Sequence, residues 1–112
     1  MPTVYKVLGR RASAATTEEE LYTAGAGTEA VVSTLVVCNR SASARTYRIA
    51  VKPTAATTLA AEHYIAYDVS IPANDSVALT LGITLAATNA IRVYASASDS
   101  LTFTAFGSEI TA

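Results

Sequence analysis

The sequence predicts an all-β chain folded as a single antiparallel β-sandwich, jelly-roll or immunoglobulin-like, of about seven to eight short strands. Three observations carry this. Short apolar or alternating runs recur along nearly the whole length, turns of small residues separate them, and no cluster of catalytic residue types interrupts them. At 112 residues the chain is one domain, long enough to bury about two thirds of its unfolded surface in one core.

Residues 3–8 alternate well enough for a first strand, whereas residues 9–17 show neither strand alternation nor a helical stripe. Residues 1–17 therefore read as an N-terminal strand and docking arm, with residues 18–112 forming the sandwich. The acidic run Glu18-Glu19-Glu20 precedes a brief edge strand, Leu21-Tyr22-Thr23, whose charge discourages stray pairing. Gly25 and Gly27 lack the Gly-Lys-Ser/Thr and the strand-loop-helix setting of a phosphate loop and read as a turn. The run that follows, residues 31–38, is the most apolar in the chain. Val36, Val37 and Cys38 leave it no polar side, so a central strand covered on both faces is expected.

Beyond the polar turn 39–44, Tyr47, Ile49 and Val51 alternate with Thr46, Arg48, Ala50 and Lys52. Pro53 ends that ladder because it has no N–H to donate. In residues 63–71, Ile65, Tyr67, Val69 and Ile71 point one way and Tyr64, Ala66, Asp68 and Ser70 the other. Pro72-Ala73-Asn74-Asp75 is a strong turn signal, and Val77, Leu79, Leu81 and Ile83 resume the pattern as the second arm of a hairpin. Two more strands follow. The first places Ile91, Val93 and Ala95 inward; the second buries Leu101, Phe103 and Ala105 and leaves Phe106 facing outward.

Chemistry is sparse. His63 is the only histidine, and its neighbour Glu62 would point to the opposite face of a strand, so no base pair forms and no enzyme is expected. Cys38, His63 and the acids share no metal-ligand spacing, and no cofactor is implied. Asp68, Asp75 and Asp99 read as turn-stabilising side chains. A lone cysteine within the most apolar run reads as a buried small hydrophobe. Eight basic against nine acidic residues give a net charge of -1, which predicts no nucleic-acid partner. No apolar run approaches the ~20 residues that span a bilayer, and no signal peptide is visible, so neither a membrane nor an oxidising compartment is expected.

With charged residues only 15% of the chain, part of the surface is expected to be covered by copies of the chain or by a partner. Tyr5, Val7, Arg10, Arg11 and Phe106 are the candidate interface residues. The first four lie on the arm, where an alternating strand can add to a neighbour's free edge and two arginines can meet acidic groups at the junction. The six tyrosines suit core edges and interfaces; without tryptophan, sugar stacking is the third reading.

Leu21-Tyr22-Thr23, the run from Gly27-Thr28-Glu29 to Cys38-Asn39-Arg40, His63-Tyr64, Ile71-Pro72-Ala73-Asn74-Asp75-Ser76 and the ending Phe106-Gly107-Ser108-Glu109-Ile110 carry a resemblance. Spanning most of residues 17–111, they look like small virion structural proteins of tailed bacteriophages. These motifs are turn and strand signatures rather than functional residues. The resemblance implies a β-sandwich displayed on the particle, on the capsid exterior or an appendage, after synthesis in the host cytoplasm. A capsid decoration or cement protein is the leading expectation, homotrimeric at threefold positions and partnered by the major capsid protein or other virion proteins. A neck or tail-fibre module is the alternative, and a carbohydrate-binding receptor module the third class.

Overall fold

Period-two alternation builds nine strands among the described residues, which in this computed structural model are 3–13, 16–54, 56–80 and 82–111. They are β1 (Thr3–Ala12), β2 (Glu19–Thr23), β3 (Thr28–Asn39), β4 (Arg45–Lys52), β5 (Tyr64–Ile71), β6 (Ser76–Leu79), β7 (Ile83–Leu85), β8 (Ala90–Ala95) and β9 (Leu101–Thr111). One five-stranded sheet runs β1-β9-β3-β6, with β7 also on β3, and a four-stranded sheet runs β2-β8-β4-β5. All pairings are antiparallel.

Most connections pass from one sheet to the other; only β4 to β5 and β6 to β7 stay within a sheet. With β6 and β7 acting as one interrupted strand, two four-stranded layers are wound together as a jelly roll. An immunoglobulin sandwich instead keeps several consecutive strands side by side. The core lies where the inner faces meet. Val32, Leu35, Val37, Leu101, Phe103 and Ala105 pack against Tyr47, Ile49, Ile91, Val93 and Ala95. Phe103 is fully buried, and its ring meets that of Tyr47 edge-on at 6.5 Å between centroids.

Several expectations are corrected. Pro72-Ala73-Asn74-Asp75 does turn, with Asn74 at φ 54, but it carries the chain from β5 in one sheet to β6 in the other and makes no hairpin. Residues 76–83 are two short strands rather than one, each on a different stretch of β3; Leu81 lies outside the described residues. The strand β3 is central, but only one face is covered by the other sheet; Val31, Val36 and Cys38 lie half-buried on the open face. Glu62 and His63 sit in a 3-10 turn, Ala61–His63, where His63 Nδ1 accepts from the Ala60 N–H at 2.9 Å. The alternation expected along β5 fails as well. Two bulges against β4 leave Ile65 and Tyr67 exposed and turn Ala66 toward the core, while Ile71 is buried as expected and Val69, opposite Tyr47 on this edge strand, stays exposed.

The segment expected as an arm forms β1, longer than anticipated because residues 9–12 continue the strand, and pairs with β9 of the same chain. Its only buried side chain is Leu8. Ser13 fastens its end, donating to the Leu101 carbonyl at 2.9 Å and accepting from the Asp99 N–H at 2.8 Å. A similar clamp sits at the β3–β4 turn. Buried Asn39 donates to the carbonyls of Ser43, Ile71 and Pro72 and accepts from Ser41, tying that turn to the β5–β6 crossing.

Candidate functional site

The outer face of the β1-β9-β3 sheet carries Tyr5, Val7, Val31, Ser33, Phe106 and Ser108 around an open groove of about 540 Å³. Tyr5 is 85% exposed and Phe106 40%. Register explains the arrangement. Val7, Phe106 and Thr34 stand opposite one another, as do Tyr5, Ser108 and Val31, so these side chains emerge on one face. Both neighbours of β9 bulge at this level: Leu8 is the extra residue in β1 and Ser33 in β3. The Ser33 hydroxyl donates to the Phe106 carbonyl at 3.2 Å. Gly107 forms the floor, since a Cβ there would stand 1.9 Å from the Val31 carbonyl oxygen.

Three of the five residues singled out in the sequence, Tyr5, Val7 and Phe106, thus come together. The arginines do not join them. Arg10 is exposed further along the same face, opposite Thr104. Arg11 instead reaches the other sheet, donating from Nε to the Glu20 carbonyl at 2.6 Å with Nη1 3.7 Å from the Glu19 carboxylate. It closes the side of the sandwich. The edge strand β2 presses in there too, its Leu21 carbonyl where a Cβ on Gly9 would lie.

At the far end of the sandwich a polar tie joins the sheets. The Tyr22 hydroxyl in β2 donates to the Glu109 carboxylate in β9, which also pairs with Lys6 Nζ of β1 at 3.1 Å. Burial, and then the hydrogen bond to Glu109, raise the Tyr22 pKa; the bonds from Tyr22 and Lys6 hold the Glu109 carboxyl below its ordinary value.

The outer face of the second sheet is of different character. Arg48 of β4 lies between two rings, its guanidinium carbon 4.2 Å from the Tyr67 centroid and 4.5 Å from that of Tyr94. It also pairs with the Asp68 carboxylate through Nε at 2.7 Å and Nη2 at 3.3 Å. A bulge makes this possible: Tyr67 and Asp68 together oppose Arg48, and Asp68 takes φ 51, so consecutive residues of one strand both reach the same guanidinium. The Tyr64 ring stands edge-to-face with Tyr67 at 4.9 Å, and its hydroxyl donates to Glu18 at 3.2 Å. Nothing in the spacing marked this cluster. Arg48 and Tyr67 read as ordinary alternating residues and Asp68 also as a turn-stabilising side chain, which the structure corrects, since Asp68 lies inside β5 and pairs with Arg48; the one available signal was a tyrosine-rich strand carrying an aspartate.

Among the described residues no three His, Cys, Asp or Glu side chains converge as metal ligands, and no helix is long and apolar enough to cross a membrane. Cys38 is half-buried on the outer face, opposite Thr102 and Ser76, and not in the core as expected.

The sequence matches no family model and no curated protein. Among solved structures, 96% of this chain superposes on 32% of a chain in the structure of infectious bursal disease virus, Gx strain, at 12% identity and a TM-score of 0.55. The structure of the Gt strain of that virus matches at 11% identity and a TM-score of 0.49, again over 96% of this chain and 32% of the other. This chain therefore spans about a third of the length of those viral chains, and the first likeness shows a shared fold.

Proposed function

We propose that the protein is a bacteriophage virion structural protein, most simply a capsid decoration or cement protein that acts by binding and performs no turnover. One observation carries this reading: an uncovered sheet face built of tyrosine, valine, phenylalanine, serine and threonine, centred on Tyr5 and Phe106. An apolar face of this kind on a chain with few charges is what a permanently covered surface requires. The shared fold with a chain of a virus structure is in keeping with it. Copies set between neighbouring shell subunits would stabilise the shell by mass action, and trimers suit threefold positions. The free edge strand β1 adjoins the face and is the part through which docking would extend to a neighbour.

Band intensities from purified particles test the location. Copy numbers on the order of hundreds support decoration, as point-group symmetry of a shell requires. A few copies to a few tens would replace it with the neck or tail-fibre reading.

A further inference from the structure

The proposed assembly does not use the Arg48 cluster on the opposite face. Exposed Tyr67 is held by a guanidinium against its ring, by Tyr64 at its side and by a strand bulge with Asp68 in the left-handed region. Such backbone strain persists only where its surroundings fix it, and it collects at binding sites. Beside the rings lies an open hollow of about 510 Å³ walled by Leu59, Ala60, Ala61, Tyr64 and Tyr67.

We propose that this hollow, with Tyr67, Arg48 and Asp68, is a subsite for a neutral saccharide unit. The occupant must be apolar on one side and polar at its rim. Tyrosine rings and alanine methyls offer the apolar wall, and the Arg48–Asp68 fork offers charged donors and acceptors at fixed spacing beside it. A sugar ring, with C–H bonds on its face and adjacent hydroxyls at its edge, matches both. Charge excludes the alternatives. Asp68 already compensates Arg48, and Glu18 stands on the Tyr64 hydroxyl, so an anion meets net repulsion. A quaternary ammonium group set against Tyr67 would meet the like charge of the guanidinium already on that ring, a repulsion that a neutral sugar does not feel. The volume fits one or two sugar rings. A single shallow site gives a Kd of about 1 mM or weaker, and many copies on one particle would raise it by avidity.

The test is a backbone-amide NMR titration of the full chain with maltohexaose, chitotetraose, galactotetraose and, as an acidic control, tetragalacturonate. At least one neutral oligosaccharide should shift the amides of Ala60, Ala61, Tyr64 and Tyr67. Tyr67→Ala should weaken that binding about tenfold, a loss typical of one stacking ring, while Tyr67→Phe keeps it within about twofold. The exposed position leaves both variants folded, which their amide spectra check. Silence from every neutral sugar at ~50 mM, binding that Tyr67→Ala leaves unchanged, or binding of the acidic tetramer alone would each overturn the proposal.

Discussion

Removing one oxygen, in Tyr22→Phe, isolates the tie between the two sheets. The ring stays in the core; what goes is the hydroxyl that donates to Glu109. A hydrogen bond to a charged group contributes about 1.5–3 kcal/mol. The Glu109 side chain is 23% exposed, so water replaces part of the loss and the lower bound, about 1.5 kcal/mol, applies. Lys6 remains paired but is 45% exposed, and such a pair adds only about 0–1 kcal/mol. Because folding lowers the Glu109 pKa, the stability it supplies is present above the ordinary carboxylate value of 4.5 and is lost as pH falls through the folded value. Tyr22, raised from 10.0, behaves oppositely: its contribution holds below that pH and declines above it. Urea unfolding of the wild type and Tyr22→Phe should therefore differ most near neutrality and converge in acid, and only the wild type should carry the alkaline limb from Tyr22. A gap that stays constant down to about pH 3, or full additivity of Tyr22→Phe with Glu109→Gln, would refute this account.

In the core, Phe103→Ala should cost about 3–5 kcal/mol in denaturant unfolding, since a fully buried ring leaves a cavity against Tyr47. Gly107→Ala should lower stability by about 3 kcal/mol or more, because the clash is with a β3 carbonyl and not with a flexible side chain. Asn39→Ala should cost about 2–3 kcal/mol and raise proteolysis of the 40–44 turn, as buried carbonyls lose their donor. The isolated chain should self-associate, which light scattering checks, and Tyr5→Glu with Phe106→Glu should abolish assembly while shifting unfolding by no more than about 1 kcal/mol.

How much of this was legible depended on distance along the chain. Alternation identified the inward residues of β4, β8 and β9, from Tyr47 to Phe103, because period two is a local property. Phe106 was placed outward by the same parity and is found there. Which turn closes a hairpin and which crosses between layers is not local: 72–75 has the chemistry of a tight turn and still parts two sheets. Bulges escaped for the same reason. At Asp68 one residue in the left-handed region changes which side chains share a face, and aspartate is common enough in turns to hide it. The apolar run of β3 suggested two covered faces, and its open face is now the docking surface proposed above.

The paired bulges at Leu8 and Ser33 flank β9 within one step of each other and crease the sheet. On one side of that line the strands are held by hydrocarbon, with Leu35, Val37 and Phe103 wholly enclosed. On the other, residues 3–7 of β1 bury no side chain and turn Lys6 inward onto Glu109, and the Tyr22–Glu109 bond, which acid releases, supplements the smaller apolar packing of Ala30, Val32 and Leu85. The domain is thus graded along its length, with a firm base and an end that opens first. Amides of residues 3–7 and 107–111 should exchange with solvent well before those of 101–105, so a partner bound across the crease would bring its greatest protection to the half that the chain itself holds least tightly.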